Sequence, residues 1–233
     1  MIVDNTFKLA VLDKGYVELL NVSGPTRRQF SLFDANDRDP ANCARISFDE
    51  KDTRSYDDDN KLNKYLYNHK HTTPLEMIET WWEVKLPIFV ARQLVRHRTV
   101  SINEVSRRYV DDTPEFYYPK KWRGRSVNKK QGSSDADFKS VRSQESYEHS
   151  IDTSLHAYNR MLEEGIAPEM ARMVLPLSTY TKWVWKQDFH NLLHMLKLRS
   201  APDAQWETQQ YANAKITLLS KVLPDLMNIC VDQ

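Results

Sequence analysis

A single domain mixing strands with helices is what this sequence predicts, on three observations: a length of 233 residues, short apolar runs punctuated by turn residues near the start, and later stretches whose apolar side chains recur with a helical period. That length allows one generous domain or two small ones, and one domain over 1–233 is the expectation. Hydrophobic residues make up 40% and charged residues 28%, the balance of an ordinary soluble protein. A formal net charge of +1 gives no global field that would gather nucleic acid or an anionic membrane, so any anion site must be local. No run approaches the roughly 20 apolar residues that span a bilayer, and Met1-Ile2-Val3-Asp4-Asn5 lacks the basic-then-apolar order of a signal peptide. The cytoplasm is the expected location, with no membrane partner. Cys43 and Cys230 stand nearly the whole chain apart, which gives neither a disulfide framework nor a metal-binding thiol pair.

In chain order, apolar-rich runs at 7–12 and 16–21 joined by Asp13-Lys14-Gly15 predict a β-hairpin, with the glycine supplying the turn. A short helix is expected over 40–46, followed by a polar, acidic loop over 48–59. The next helix begins near Asp58, where Leu62, Tyr65, Leu66 and His69 fall at i, i+3, i+4 and i+7 and acidic residues sit at the positive N-terminal end. His69-Lys70-His71-Thr72-Thr73-Pro74-Leu75-Glu76 has no apolar period, and Pro74 pushes Thr73 out of helical geometry, so a polar loop is predicted. A strand over 79–86 leads to Pro87, placed to open a helix from Ile88 to about His97 whose last turn delivers Gln93, Arg96 and His97. Residues 115–119 read as a strand end. The next stretch, 120–134, is basic and then Gly/Ser-rich, and a mobile insertion is expected at 120–137. A long amphipathic helix over 141–164 carries Tyr147, Ile151, Leu155, Tyr158 and Leu162 on one face, with Gly165 as its stop. A shorter helix from Pro168 carries Arg172, and a strand is expected over 177–185. Asp188 then caps a helix through Arg199, and Pro202 precedes a last helix over 204–223.

The chemistry concentrates in Arg96-His97-Arg98-Thr99-Val100-Ser101-Ile102-Asn103-Glu104-Val105-Ser106-Arg107-Arg108-Tyr109, which packs four arginines and a histidine around one carboxylate and two serine hydroxyls. Guanidinium forks match phosphates and base edges, so a site for an anionic heteroaromatic ligand is expected here, against the plainer alternative of a solvated charged face. Arg172 and Arg199 sit in otherwise apolar helical segments, where each needs an anion, an acceptor or a protein partner. With five glycines and no phosphate-binding glycine loop or dinucleotide fingerprint, a bound nucleotide must be held by arginine side chains. Neither cysteine advertises the electropositive niche that a thiolate nucleophile needs. Two other functions stay open. An Arg-rich nucleic-acid-binding module would use 96–108 with the basic loop 120–130. A zinc hydrolase would use His190 and His194, one helical turn apart, although Asn191 stands where such a helix usually carries a glutamate base.

The pattern Arg-His-Arg-x-x-Ser-x-Asn-Glu-x-Ser-x-Arg-Tyr, complete from Arg96 to Tyr109, closely resembles the signature of the flavin-dependent thymidylate synthases. Further blocks come in that family's order: Ala44-Arg45-Ile46-Ser47-Phe48, the stretch from His71 to Glu76, Pro87-Ile88-Phe89-Val90-Ala91-Arg92-Gln93, Ala171-Arg172-Met173-Val174-Leu175-Pro176, and Leu198-Arg199 followed by Ala204-Gln205-Trp206-Glu207. The resemblance implies an α+β fold, an antiparallel β-sheet flanked by helices, in homotetramers whose active sites are shared among subunits. It implies methylation of dUMP to dTMP, with methylenetetrahydrofolate giving the carbon, FAD carrying a hydride and NADPH reducing the flavin. By matching positions, Gln93, Arg96, Glu104, Ser106, Arg107, Arg108, Arg172 and Arg199 are the implied dUMP contacts, with Arg108 and Arg172 suited to the phosphate. Arg199 resembles the residue that stabilises a uracil anion. Ser106, which has no nearby base in the sequence, is assigned to positioning, and His71 to stacking near flavin or folate; these three form the implied catalytic set. The implied FAD contacts are Ser47, Thr73, Glu76, Arg96, His97, Arg98, Glu104, Asp188, His190 and His194, with no metal and no nucleic-acid partner. Asp203 stands where many members carry His, and 188–194 follow only one of the family's variants.

Overall fold

The structure, a computed structural model, describes residues 5–25, 33–48, 54–110, 112–126, 132–138 and 140–231. Strands β1 (Lys8–Val11) and β2 (Gly15–Ser23) form the expected hairpin, with Val11 opposite Gly15. The left-handed residue of its turn is Leu12, at φ 63°, and not the glycine. Gly15 is required for another reason: a Cβ there would lie 2.1 Å from Tyr211 Oη and 2.7 Å from the Lys85 carbonyl oxygen. Strands β3 (Glu79–Pro87), β4 (Val100–Glu104) and β7 (Tyr180–Asp188) complete a five-stranded antiparallel sheet in the order β1-β2-β3-β7-β4.

Period-two burial assigns the sheet two faces. Val17, Leu19, Trp82, Val84, Trp183 and Trp185 point into the core, with Trp82 opposite Trp185 and Val84 opposite Trp183. The other face is polar and half-exposed, with Tyr16 bonded to Glu83 and Lys186 paired with Glu79. Helices α7 (Phe189–Arg199), α8 (Trp206–Leu219) and α9 (Pro224–Val231) bring Phe189, Leu192, Leu196, Tyr211, Leu218 and Leu226 into the core. Each such buried side chain contributes about 1.5–3 kcal/mol relative to exposure. The last helix expected over 204–223 is α8, which ends at Leu219, and Pro224 then opens a further helix that was not expected.

The remaining helices position the site. Helix α1 (Asp39–Arg45) is joined to α2 (Tyr56–Asn68) by Arg38 and Arg45, both paired with the fully buried Asp59. Helix α2 starts two residues before Asp58, where Ser55 Oγ accepts from the Asp58 amide. Its buried residues are Asp59, Asn63 and Leu66 rather than the anticipated Leu62–Tyr65–Leu66–His69 stripe, because the Asp59 ion pairs turn that side inward. Thr73–Glu76, expected as loop, is one helical turn, α3, with Pro74 in the first turn where its missing N–H removes no bond. Helix α4 (Ile88–Leu94) stops short of His97, so Arg96 and His97 lie beyond it.

The segment 115–119 makes an isolated bridge from Phe116 to Thr179. Helix α5 (Val141–Glu163) buries only Ile151 and Tyr158, and Gly165 follows it at φ 83°. Helix α6 (Pro168–Ala171) runs into a 3-10 turn, Arg172–Val174. Within the expected insertion, β5 (Arg123–Arg125) and β6 (Ser133–Asp137) form a two-stranded ribbon, tied down by an Arg123–Glu207 ion pair and a 2.7 Å bond from Trp122 Nε1 to Gln144. Residues 127–131 of that insertion lie outside the described residues. Among the described residues, no helix is long and apolar enough to cross a membrane.

Candidate functional site

The turn after β4, the 3-10 turn at Arg172 and the polar face of the sheet enclose an open cleft of about 750 Å³. Glu104, Ser106, Arg107, Arg108 and Arg172 all line it. The amide of Val105 donates to the Lys182 carbonyl at 2.9 Å, prolonging the β4–β7 pairing and carrying 104–108 over the sheet. Glu104 is fixed by Thr181, whose Oγ1 donates to Oε1 at 2.6 Å. Arg107 spends its guanidinium on Asp112, at 2.9 Å to Oδ1 and 3.0 Å to the carbonyl, so this expected substrate contact is already engaged. Lys85 is paired with Glu115. With those pairs neutralised, Arg108, Arg172 and Lys182 face Glu104, and the cleft keeps an excess of positive charge. Arg108 Nε donates to Ser106 Oγ at 3.3 Å, and the guanidinium lies 4.9 Å from the Tyr109 ring centre. Ser106 therefore meets a cation rather than a base. Arg172 is exposed, so its charge needs no buried partner in the apolar segment that carries it.

A second cluster forms at the C-terminus of α7. Arg199 Nε donates to His97 Nε2 at 2.9 Å, and Arg199 Nη2 donates to the Gln93 carbonyl at 3.0 Å. His97 is 8% exposed, and burial, then Arg199, then His194 push its pKa down to about 4. At neutral pH the imidazole is uncharged and its Nε2 can accept. Burial also lowers the Arg199 pKa, but a guanidinium stays charged in proteins. Both of these acceptors are neutral, so neither cancels the charge. The Gln93 side chain is held by Gln205, accepting from Nε2 at 2.5 Å, and by Thr208, donating to Oε1 at 3.1 Å. Between this cluster and the cleft, Thr99 turns the chain into β4 at φ 56°, a conformation costly for a β-branched residue.

A groove in two lobes crosses the helices. One lobe, about 790 Å³, is lined by Ser47, Phe48, Thr73 and Met77; the other, about 350 Å³, by Leu75, His190, His194 and Lys197. Leu66, Lys70, His71 and Thr72 border both. Lys70 turns the chain between His69 and His71 with φ 61°. Tyr65 stacks on His69 at 4.0 Å and meets His71 edge-on at 5.8 Å. Flat rings, hydroxyls and two lysines along one channel suit a long ligand with a planar ring system and a pyrophosphate.

The expected residues thus divide. Five of the substrate set share the cleft, while Gln93 and Arg199 share the cluster, and Arg96 and Arg98 are exposed between them. Strand β4, five residues and about 17 Å long, lies between the two along the chain. Ser47, Thr73, His71, His190 and His194 share the groove. Glu76 is exposed on α3, Glu104 belongs to the cleft, and His97 is turned to Arg199. Asp188 gives its carboxylate to the α7 cap, accepting from the Asn191 amide at 2.9 Å, so it acts by fixing the helix that bears His190 and His194.

Lys85, Lys182, Thr181, Lys70, Lys197 and Thr208 were not foreseen. Lys85 and Lys182 are cross-strand partners, and that register is invisible in either strand alone. Among the described residues no group of three or more His, Cys, Asp or Glu is placed to hold a metal, so the zinc reading finds no third ligand. Burial raises both thiols, Cys230 to about 12, so neither supplies a thiolate at neutral pH.

A family model described as Thymidylate synthase complementing protein matches residues 31–225. A flavin-dependent thymidylate synthase of Thermus thermophilus is 44% identical over 218 residues, covering 93% of this chain and 75% of that protein. Another, of Wolbachia pipientis wMel, is 40% identical over 227 residues, covering 95% and 75%. Among solved structures, a UMP/dUMP methylase PolB from Streptomyces cacaoi bound with 5-Br dUMP matches with a TM-score of 0.78 at 28% identity, covering 95% of this chain and 96% of that one.

Proposed function

The chain belongs to the flavin-dependent thymidylate synthase family, and on that premise we propose that it methylates dUMP to dTMP, with methylenetetrahydrofolate as carbon donor, FAD as hydride carrier and NADPH as reductant. The observation that carries this reading is the Arg199 cation, half-buried and held by His97 and a carbonyl, with no carboxylate paired to it among the described residues. A fixed, partly desolvated charge of this kind stabilises negative charge developing on a uracil ring and makes the ring a better carbon nucleophile. No cysteine attack is available, because both thiols are held protonated.

In the cleft, Arg108 and Arg172 hold the phosphate, Glu104 accepts from a nucleoside hydroxyl, and Ser106 orients Arg108 rather than attacking. Gln93 and Arg96 meet the nucleotide from the cluster side. In the groove, Ser47, Thr73, His190 and His194 hold FAD with Lys70 and Lys197 near its pyrophosphate, and Glu76, Arg96 and Arg98 adjoin it. His71, bordering both lobes, stacks near flavin or folate. FAD, when bound there, supplies the hydride chemistry.

We infer that one chain's cleft is completed by another chain's cluster, in a homotetramer, a reading supported by the length of β4 between them. Exposed Met173 and Leu177, at 65% and 62%, flank Arg172 and offer apolar surface for that contact. The cytoplasm is the expected setting. The test is direct. Protein reconstituted with FAD is yellow and forms dTMP from dUMP, methylenetetrahydrofolate and NADPH; colourless protein that forms no dTMP overturns the proposal.

A further inference from the structure

The block Ala204-Gln205-Trp206-Glu207 has no role in the chemistry above, yet it starts a directed chain of hydrogen bonds that ends at Gln93. Glu207 is 3% exposed. Its Oε1 accepts from Tyr117 Oη at 3.2 Å and from Arg123 Nη2, and its Oε2 accepts from Gln205 Nε2 at 3.1 Å. A carboxylate ionised beside a guanidinium can only accept, so the Gln205 amide must turn its nitrogen towards Glu207 and its oxygen away. That oxygen accepts from Gln93 Nε2 at 2.5 Å, which sends Gln93 Oε1 to the opposite side, where Thr208 Oγ1 donates to it at 3.1 Å. An amide can usually be turned end for end at little cost. Here each sense is dictated by the one before it, back to a single buried carboxylate. The main chain of Gln93 meanwhile holds Arg199.

We infer that Glu207 and Gln205 are positioning residues that fix which end of the Gln93 amide donates and which accepts, and so the one order of donor and acceptor that Gln93 turns to a pyrimidine nucleotide. The inference rests on the reading that Gln93 contacts the nucleotide. An amide has two N–H groups and two oxygen lone pairs. The relay uses one of each and leaves one of each for the ligand. A ligand needing the reverse order meets donor against donor and acceptor against acceptor.

The relay predicts its own inversion. In Glu207→Gln, residue 207 keeps its oxygen towards Arg123 and Tyr117 and turns its nitrogen to Gln205. Gln205 then flips to accept, Gln93 flips in turn, and the Thr208 hydroxyl accepts instead of donating. Adding Gln205→Glu restores an acceptor facing both neighbours and returns Gln93 to its original sense. The experiment titrates dUMP into the FAD-loaded proteins and follows the Gln93 side-chain NH₂ resonances, which need no substrate.

Expected are a loss of dUMP affinity of about tenfold or more in Glu207→Gln, recovery in the double variant, and NH₂ resonances that shift and return in parallel. Where Glu207→Gln does not fold, Gln205→Met leaves the Arg123–Glu207 ion pair intact and loses the same affinity. Wild-type affinity in the single variant, or a double variant no better than the single, overturns the inference. Unchanged Gln93 resonances overturn it even if the wild type binds no dUMP, in which case the substrate reading fails separately.

Discussion

The cleft around Arg172 and the cluster around Arg199 are both built on arginine, but water and pairing make them different instruments. In the cleft the cations are largely exposed or paired with carboxylates, and their fields reach a ligand through solvent. In the cluster a half-buried guanidinium is clamped by a neutral imidazole and a carbonyl, so its charge is less screened and its geometry fixed. On the proposed function, the first arrangement would grip an anion in ground and transition states alike, lowering KM, and the second would meet charge that appears during the reaction, raising kcat.

The largest effect should follow loss of the clamped charge: Arg199→Ala is expected to lower kcat by about a hundred- to a thousandfold while the fold survives. Steady-state kinetics with a thermal melt check this, and near-normal turnover would erase the distinction between the two regions. Next, Arg172→Ala is expected to raise KM for dUMP by about tenfold and to weaken its salt dependence, with kcat little changed. Arg107→Ala should change KM by less than about threefold, since Asp112 already occupies that guanidinium. Equal losses at 107 and 172 would show that pairing does not set their roles.

The smallest effect concerns pH. The folded His97 pKa is about 4 and lies below the unfolded value near 6.5, so the unfolded chain takes up the proton first. The stability contribution is present above pH 6.5 and is lost as pH falls towards 4. Melting curves across that window should fall less steeply for His97→Gln, which keeps an acceptor for Arg199 and does not titrate.

Much of this was legible in the sequence where local chemistry decides. The hairpin, the Asp188 cap, the Gly165 stop and the strand opening at Glu79 follow from turn, cap and period rules, and the signature from Arg96 to Tyr109 identified the family. Gly15 shows the limit: its need comes from Tyr211, far along the chain. The signature divides by position, its Arg-His-Arg end towards flavin and substrate and its Glu104–Arg108 end towards the nucleotide, but the pairing of β4 with β7 that lies between the two ends depends on a strand far along the chain. The buried side of α2 was missed because the ion pairs of Asp59 with Arg38 and Arg45 outweigh an apolar stripe. Breaking such a buried pair costs about 3–5 kcal/mol.

Mixing subunits tests most directly whether the two regions complete each other between chains. Arg172→Ala and Arg199→Ala proteins, the first about tenfold and the second about a hundredfold or more less active at low dUMP, are dissociated together, reassociated and assayed for dTMP formation. If clefts and clusters from different chains meet, mixed assemblies contain sites with both arginines intact, and activity rises well above that of either parent. If each chain holds its own complete site, every site carries one lesion, and mixed assemblies no more active than the parents would contradict the account.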